Sequence, residues 1–266
     1  MKSVCDYDLF LLDMDGTIYL GNELFPQTPG FLEAIKNKGA RYVFLTNNSS
    51  KDKKSYVEKL NNLGIGATED DVFSSGDATA IWLRERGYRS LYVVGNRALC
   101  SLFEKEGFAL TDHDPEVVVL GFDTELTYEK LCKAHELLCA GKTWVCTHPD
   151  LVCPMEAGRT IPDTGAMIKL LEASAGRSPD YIVGKPNKII IDAALALYHG
   201  RRETTCMVGD RLYTDIAVGR NAGIGSVLVL TGETSREAYE SQSVFHADFV
   251  YPSVGEIAEE LKKGML

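Results

Sequence analysis

The stretch Phe10–Tyr19, FLLDMDGTIY, ends an apolar run in two aspartates separated by one methionine. A carboxylate buried without a partner costs several kcal/mol or takes up a proton. Two acids at the end of one apolar strand therefore imply positive charge waiting beyond it. The run itself, Leu9 to Leu12, does not alternate apolar with polar residues. Such a strand is covered on both faces, as in a parallel sheet flanked by helices.

Outward from this strand the rhythm repeats. TPGFLEAIKNKG reads as a helix, with Thr28 as its cap, Pro29 in the first turn and Gly39 at the stop. YVFLT follows as a strand, and KDKKSYVEKLNNLG and GDATAIWLRERG are helical by the spacing of their apolar residues. Further on, SLYVVG, EVVVLGFD, TWVCTH, DYIVG, TTCMVG and SVLVLTG read as strands with helical patterns between them. The fold class expected is α/β, with a doubly wound, Rossmann-like parallel sheet as its core.

Composition excludes several functions. The 266 residues suffice for one large domain or two smaller ones. A formal charge of -10 offers no basic surface for nucleic acid. No run approaches the roughly 20 apolar residues of a membrane span, and MKSVCDYDLFLLD places acids ahead of a short apolar run, unlike a secretion signal. Seven cysteines without a C-x-x-C pair fit reduced thiols, so a cytoplasmic protein is expected. Cys132, Cys139, Cys146 and Cys153 recur every seven residues near His135 and His148. Structural zinc takes closely spaced pairs on turns, so these four are expected to be small buried apolar residues instead. AGKTW, at residues 140–144, resembles the end of a phosphate-binding loop, but the required earlier glycine is Glu136.

Four apolar strands end in polar residues suited to phosphate chemistry: FLLDMD, YVFLTNNS, DYIVGKPN and TCMVGDRLYTD. Ligands of open parallel sheets bind beyond the carboxyl ends of the strands. Asp13, Asp15, Thr46, Asn47, Asn48, Lys185, Asp210 and Asp215 are accordingly expected around one crevice. Asp13 and Asp210 are oxygen donors of the kind magnesium prefers. Lys185 and the metal would keep the carboxylates ionised. An ionised Asp13 can attack phosphorus to give an aspartyl-phosphate. Asp15 can protonate the leaving oxygen and later deprotonate the attacking water. Thr46 and nearby backbone N–H groups can hold phosphoryl oxygens while Lys185 offsets developing charge.

DMDGT, LTNNS, VGKP and VGDRLYTDI, in this order, resemble the four motifs of the haloacid dehalogenase superfamily. Their wording is similar to that of phosphatase subfamily IIA, the NagD-like and p-nitrophenyl-phosphatase-like proteins, and the likeness runs over essentially the whole chain. The resemblance implies Asp13 as nucleophile and magnesium ligand, and Asp15 as acid/base with its backbone carbonyl also on the metal. It further implies Thr46 on the phosphoryl group, Lys185 orienting nucleophile and phosphate, Asp210 on magnesium, and Asp215 supporting the metal waters or the lysine. Dehalogenase members lack an acid at the place of Asp15, so a phosphatase is implied.

Motif spacing locates a lid. Between Asp15 and Thr46 there is room only for a flap, GTIYLGNELFPQ, and one helix, whereas the span to Lys185 holds extra α/β pattern. The core is expected at residues 1–79 and 180–266, and an inserted cap, at the family's C2 position, at residues 80–179. Substrate contacts from the cap are expected at His148 and Asp150 in THPD and at Thr164 in RTIPDTGAM, with Asn47 and Asn48 joining them from the core.

Plainer readings stand beside these. DMDG can be a turn, Thr46 a helix cap, and Asp210 and Asp215 a cap and a first-turn acid. Asp163 or Thr164 can cap the following helix, and His148 before Pro149 can be exposed. The expected activity is magnesium-dependent hydrolysis of small phosphorylated metabolites, with sugar phosphates and nucleoside monophosphates foremost. Its rivals are a phosphotransferase or mutase, in which a hydroxyl replaces water, and a phosphometabolite-binding protein with little turnover. A homodimer through the cap is compatible with the pattern, though no stretch marks one.

Overall fold

The computed structural model describes residues 3–155 and 158–264. Two compact units emerge: the chain up to Thr46, Tyr56–Phe73 and the chain from Lys185 onward form the first, while Asn47–Ser55 and Ser74–Gly184 form the second.

In the first unit a six-stranded sheet runs in the order Phe249–Tyr251, Gly225–Val229, Thr205–Gly209, Leu9–Leu12, Arg41–Thr46, Val72–Ser74. Leu9–Leu12 is its central strand, fully buried and parallel to both neighbours. Register matters here, because Leu12 lies opposite Val208 on one side and Phe44 on the other. Asp13, Asp210 and Thr46 therefore leave the sheet along the same edge. Below that edge, Phe10 packs edge-on against Tyr7 and Phe31, and each such burial contributes about 1.5–3 kcal/mol.

The helices Thr28–Asn37 and Val254–Lys263 pack together beneath the sheet, burying Phe31, Ile35, Ile257 and Leu261. Thr28 is not the helix cap. Gln27 holds that position, and Thr28 is buried with its hydroxyl donating to the Ile18 carbonyl at 2.7 Å. Its hydroxyl anchors the flap, a short hairpin of Tyr19–Leu20 and Glu23–Leu24. No domain is inserted between Asp15 and Thr46.

The second unit has its own sheet, parallel throughout, in the order Tyr181–Ile182, Thr143–Cys146, Val117–Leu120, Ser90–Val94, Ala109–Leu110. Trp144, Leu120, Leu138 and Leu171 fill its core. Two elements fall outside the boundaries expected at 80 and 180. Helix Ser75–Glu85 and strand Tyr181–Ile182 belong to this unit, since Ile182 pairs with Cys146 and Trp82 lies 4.6 Å from Tyr181 between ring centroids.

The cysteines depart from expectation as well. Only Cys146 of the four is buried; Cys132 and Cys139 are exposed and Cys153 is half-buried. Helix Tyr128–Cys139 buries Ala134, Leu137 and Leu138, and the seven-residue spacing puts Cys132 and Cys139 together on the flank facing away. Among the described residues no helix is long and apolar enough to cross a membrane.

Candidate active site

The strand ends assemble an ionic cluster in the first unit. Asp13 follows the central strand directly, its N–H donating to the Val208 carbonyl at 2.9 Å. Lys185 Nζ donates to Asp13 Oδ1 at 2.6 Å and to Asp215 Oδ1 at 2.7 Å. Lys185 and Asp215 are buried at 2% and 0% exposure, so neither charge is solvated. Asp215 reaches the lysine because Leu212–Ile216 makes one π-helical turn, with Ile216 N–H donating to the Arg211 carbonyl at 3.2 Å. The wide turn brings the carboxylate back, so that its Oδ2 also accepts from Arg211 N–H at 3.1 Å. Single π turns of this kind recur at functional sites.

Asp13, Asp210 and Asp215 present carboxylate oxygens within 4.8 Å of one another. One ammonium among three carboxylates leaves excess negative charge. Burial pushes the Asp210 carboxyl up to about 7, with the charges of Asp13 and Asp215 adding to it. Burial also raises Asp215, against the pull of Lys185. For Lys185, burial disfavours the ammonium, but Asp13 and Asp215 outweigh it and hold the group charged well above its ordinary range. An oxygen-only donor set with surplus negative charge fits a hard divalent cation such as magnesium.

Asp15 starts the flap, bridging to Tyr19, and is half-buried. Burial raises its carboxyl, while the Lys59 charge opposes the shift. Thr46 is the last residue of its strand, half-buried and in the same unit.

Asn47, Asn48, His148, Asp150 and Thr164 lie in the second unit. Asn47 Nδ2 donates to both Asp150 oxygens, at 3.3 and 3.2 Å. Asn48 Oδ1 accepts from the N–H and the hydroxyl of Ser50, both at 2.8 Å, which shapes the turn. His148 is fully buried, contrary to the exposed alternative: Nδ1 lies 2.9 Å from Thr147 Oγ1, and Nε2 lies 2.9 Å from Asp163 Oδ1. Asp163 caps helix Thr164–Ala175, accepting from Thr164 N–H at 2.5 Å. The Thr164 hydroxyl donates to the same oxygen at 3.1 Å.

Around Asp210 stand two residues of DMDGT besides its acids, Gly16 and Thr17, and three outside the motifs, Thr231, Gly232 and Glu233. Thr17 Oγ1 donates to Asp210 Oδ1 at 3.4 Å, and Glu233 N–H donates to Asp210 Oδ2 at 2.7 Å. Thr231 Oγ1 donates to the Gly16 carbonyl at 2.6 Å. Gly16 sits at φ +85°, and a Cβ there or at Gly232 would collide with the Asp210 carboxylate. The strand Gly225–Val229 also ends at this edge and is followed by TGET, which meets Asp210 through the Glu233 N–H and the bare Cα of Gly232.

Residues 10–109 match the family model for haloacid dehalogenase-like hydrolases, and residues 182–257 match a second, HAD-hydrolase-like model. The chain is similar to the 5'-nucleotidase YutF of Bacillus subtilis, at 36% identity over 87% of this chain and 90% of that protein. The acid sugar phosphatase of Staphylococcus saprophyticus is 34% identical, with 97% of this chain and 99% of that one covered. Among solved structures, the 4-nitrophenylphosphatase of Thermotoga maritima superimposes with a TM-score of 0.92 at 45% identity, covering 97% and 99% of the two chains.

Proposed function

Since the chain belongs to the haloacid dehalogenase superfamily, as a phosphatase of its NagD-like subfamily IIA, we propose that it hydrolyses small phosphomonoesters through an aspartyl-phosphate on Asp13. The observation that carries this reading is Lys185 clamped between Asp13 and Asp215 beside Asp210. Magnesium, held by Asp13, Asp210 and the Asp15 carbonyl, would supply charge that neutralises the phosphoryl oxygens.

The chain's own residues do the rest. Lys185 fixes one Asp13 oxygen, which leaves the other to attack phosphorus while the bond to the leaving oxygen breaks. Asp15, whose carboxyl burial holds above its ordinary value, gives its proton to that leaving oxygen. The same carboxylate then takes a proton from the water that splits the aspartyl-phosphate and releases phosphate. Thr46 holds a phosphoryl oxygen. Asp215 keeps the lysine in place from its buried side.

In this reading the second unit is a C2-type cap that selects among leaving groups, and the His148–Asp163 pair stiffens it. Sugar phosphates and nucleoside monophosphates are the substrate classes, in keeping with the names of the similar proteins. Phosphate release from a panel of both classes, with Mg2+ and with EDTA, tests it. Release is expected only with the metal, and no release from any compound sinks the proposal.

A second expectation concerns pH. Asp210 binds its proton more tightly in the folded chain than in the unfolded one, its value being raised to about 7. For a raised carboxylate the stability is present in acid and is lost as pH climbs from the ordinary carboxylate range through about 7. Melting temperatures in EDTA and in Mg2+ are therefore expected to differ little at pH 5 and most at pH 8. A gap that narrows with rising pH would contradict the charge balance assigned to the cluster.

A further inference from the structure

We propose that the loop Thr231–Glu233, tied to Gly16 through Thr231 and to Arg211 and Tyr213 through Glu233, is a positioning element that holds Asp210 in its metal-binding orientation. The proposal rests on the reading of Asp210 as a magnesium ligand. The loop follows the strand Gly225–Val229 and approaches Asp210 so closely that position 232 has no room for a side chain. Its Glu233 N–H takes Asp210 Oδ2 at 2.7 Å, while Thr17 takes Oδ1 from the other side.

Two ties fix this loop. On one side the Thr231 hydroxyl donates to the Gly16 carbonyl at 2.6 Å, joining the loop to the segment that follows Asp15. On the other side Glu233 Oε2 accepts from the Tyr213 hydroxyl at 3.1 Å. Arg211 Nε lies 3.1 Å from that same oxygen as an ion pair, its N–H not aimed at the acceptor. Arg211 and Tyr213 belong to the segment that begins at Asp210. The loop thus bridges both strand ends that supply the carboxylates. To rotate away, the Asp210 carboxylate would have to give up a backbone N–H that the ties hold in place. Fixing a ligand before the metal arrives removes an ordering cost from binding.

The test is calorimetric titration of Mg2+ into metal-free protein without substrate, with melting temperatures in EDTA alongside. Thr231→Val and Glu233→Ala are each expected to weaken Mg2+ about tenfold, the usual scale for groups that orient metal ligands. Their melting temperatures in EDTA should stay within about 3 °C of wild type, because partly exposed contacts contribute little to the fold. Glu233→Ala also removes a charge, so the neutral Thr231→Val decides. Wild-type affinity in Thr231→Val overturns the proposal, as does a weakening that merely tracks a large fall in melting temperature. Wild-type protein that binds Mg2+ yet hydrolyses nothing would sink the phosphatase reading and leave this one standing.

Discussion

Asp13→Asn is expected to lower phosphate release by at least about 10,000-fold, the scale on which removal of a covalent nucleophile acts. The amide has nearly the same shape, and its oxygen can still accept from Lys185 Nζ, which lies 2.6 Å from the present carboxylate. What it lacks is the charge that makes the oxygen nucleophilic. The fold should not suffer. Three carboxylates around one ammonium become two, and Asp210 loses one of the charges that push its value up to about 7. The variant is therefore expected to melt in EDTA no lower than wild type, and with a flatter dependence on pH between 5 and 8. Phosphate release followed under saturating substrate, together with a melting curve, separates the two effects. Retention of most of the activity would rule out the aspartyl-phosphate route, and a large loss of stability would mean that Asp13 is chiefly a structural partner of the lysine.

The fold was legible because the parallel strands lack alternation. LFLL and VVVL, buried at every position, have no polar residue to misread. Boundaries were less so. Tyr181–Ile182 is a two-residue strand, and nothing in DYIVG says which of two sheets it pairs with. Only the register with Val145 and Cys146 assigns it. Thr28 misled for a related reason, since a threonine before Pro29 suits a cap by type, whereas its buried hydroxyl is drawn to the Ile18 carbonyl. Side-chain type cannot reveal a partner ten residues away.

The ionic cluster was more legible than its support. Asp13, Lys185 and Asp210 stand just past strands, where an acid or a lysine after an apolar run is conspicuous, and Asp215 lies one turn further on. Glu233 contributes a backbone N–H, and Gly232 an absence of side chain, and neither property is written in a motif. For His148, expected as a substrate contact, it is the plainer alternative of exposure before proline that fails: Thr147 and Asp163 satisfy both ring nitrogens and allow full burial.

Lys185→Met should be the most damaging single change to the cluster, because it acts on stability and turnover together. Methionine matches the length of the buried stem but brings no charge, so Asp13 and Asp215 lose the ammonium at 2.6 and 2.7 Å. Removing one partner of a buried pair costs about 3–5 kcal/mol, since the other is left in a site that cannot solvate it. Asp215, at 0% exposure, bears most of that cost. The sign of the pH dependence follows. Without the lysine, which now opposes the burial effect on Asp215, that folded-state carboxyl rises further above its unfolded value. Stability of the variant is then retained in acid and lost as pH climbs through that raised value. Melting curves in EDTA should put the deficit against wild type near its smallest at pH 5 and its largest at pH 8, with Mg2+ recovering part of it. Turnover should fall at least about 100-fold even with saturating metal, as on removal of one preorganised donor to developing charge. A variant as stable as wild type at pH 8 would mean that solvent or a neighbouring cation already neutralises Asp215, and the clamp would then have no energetic role.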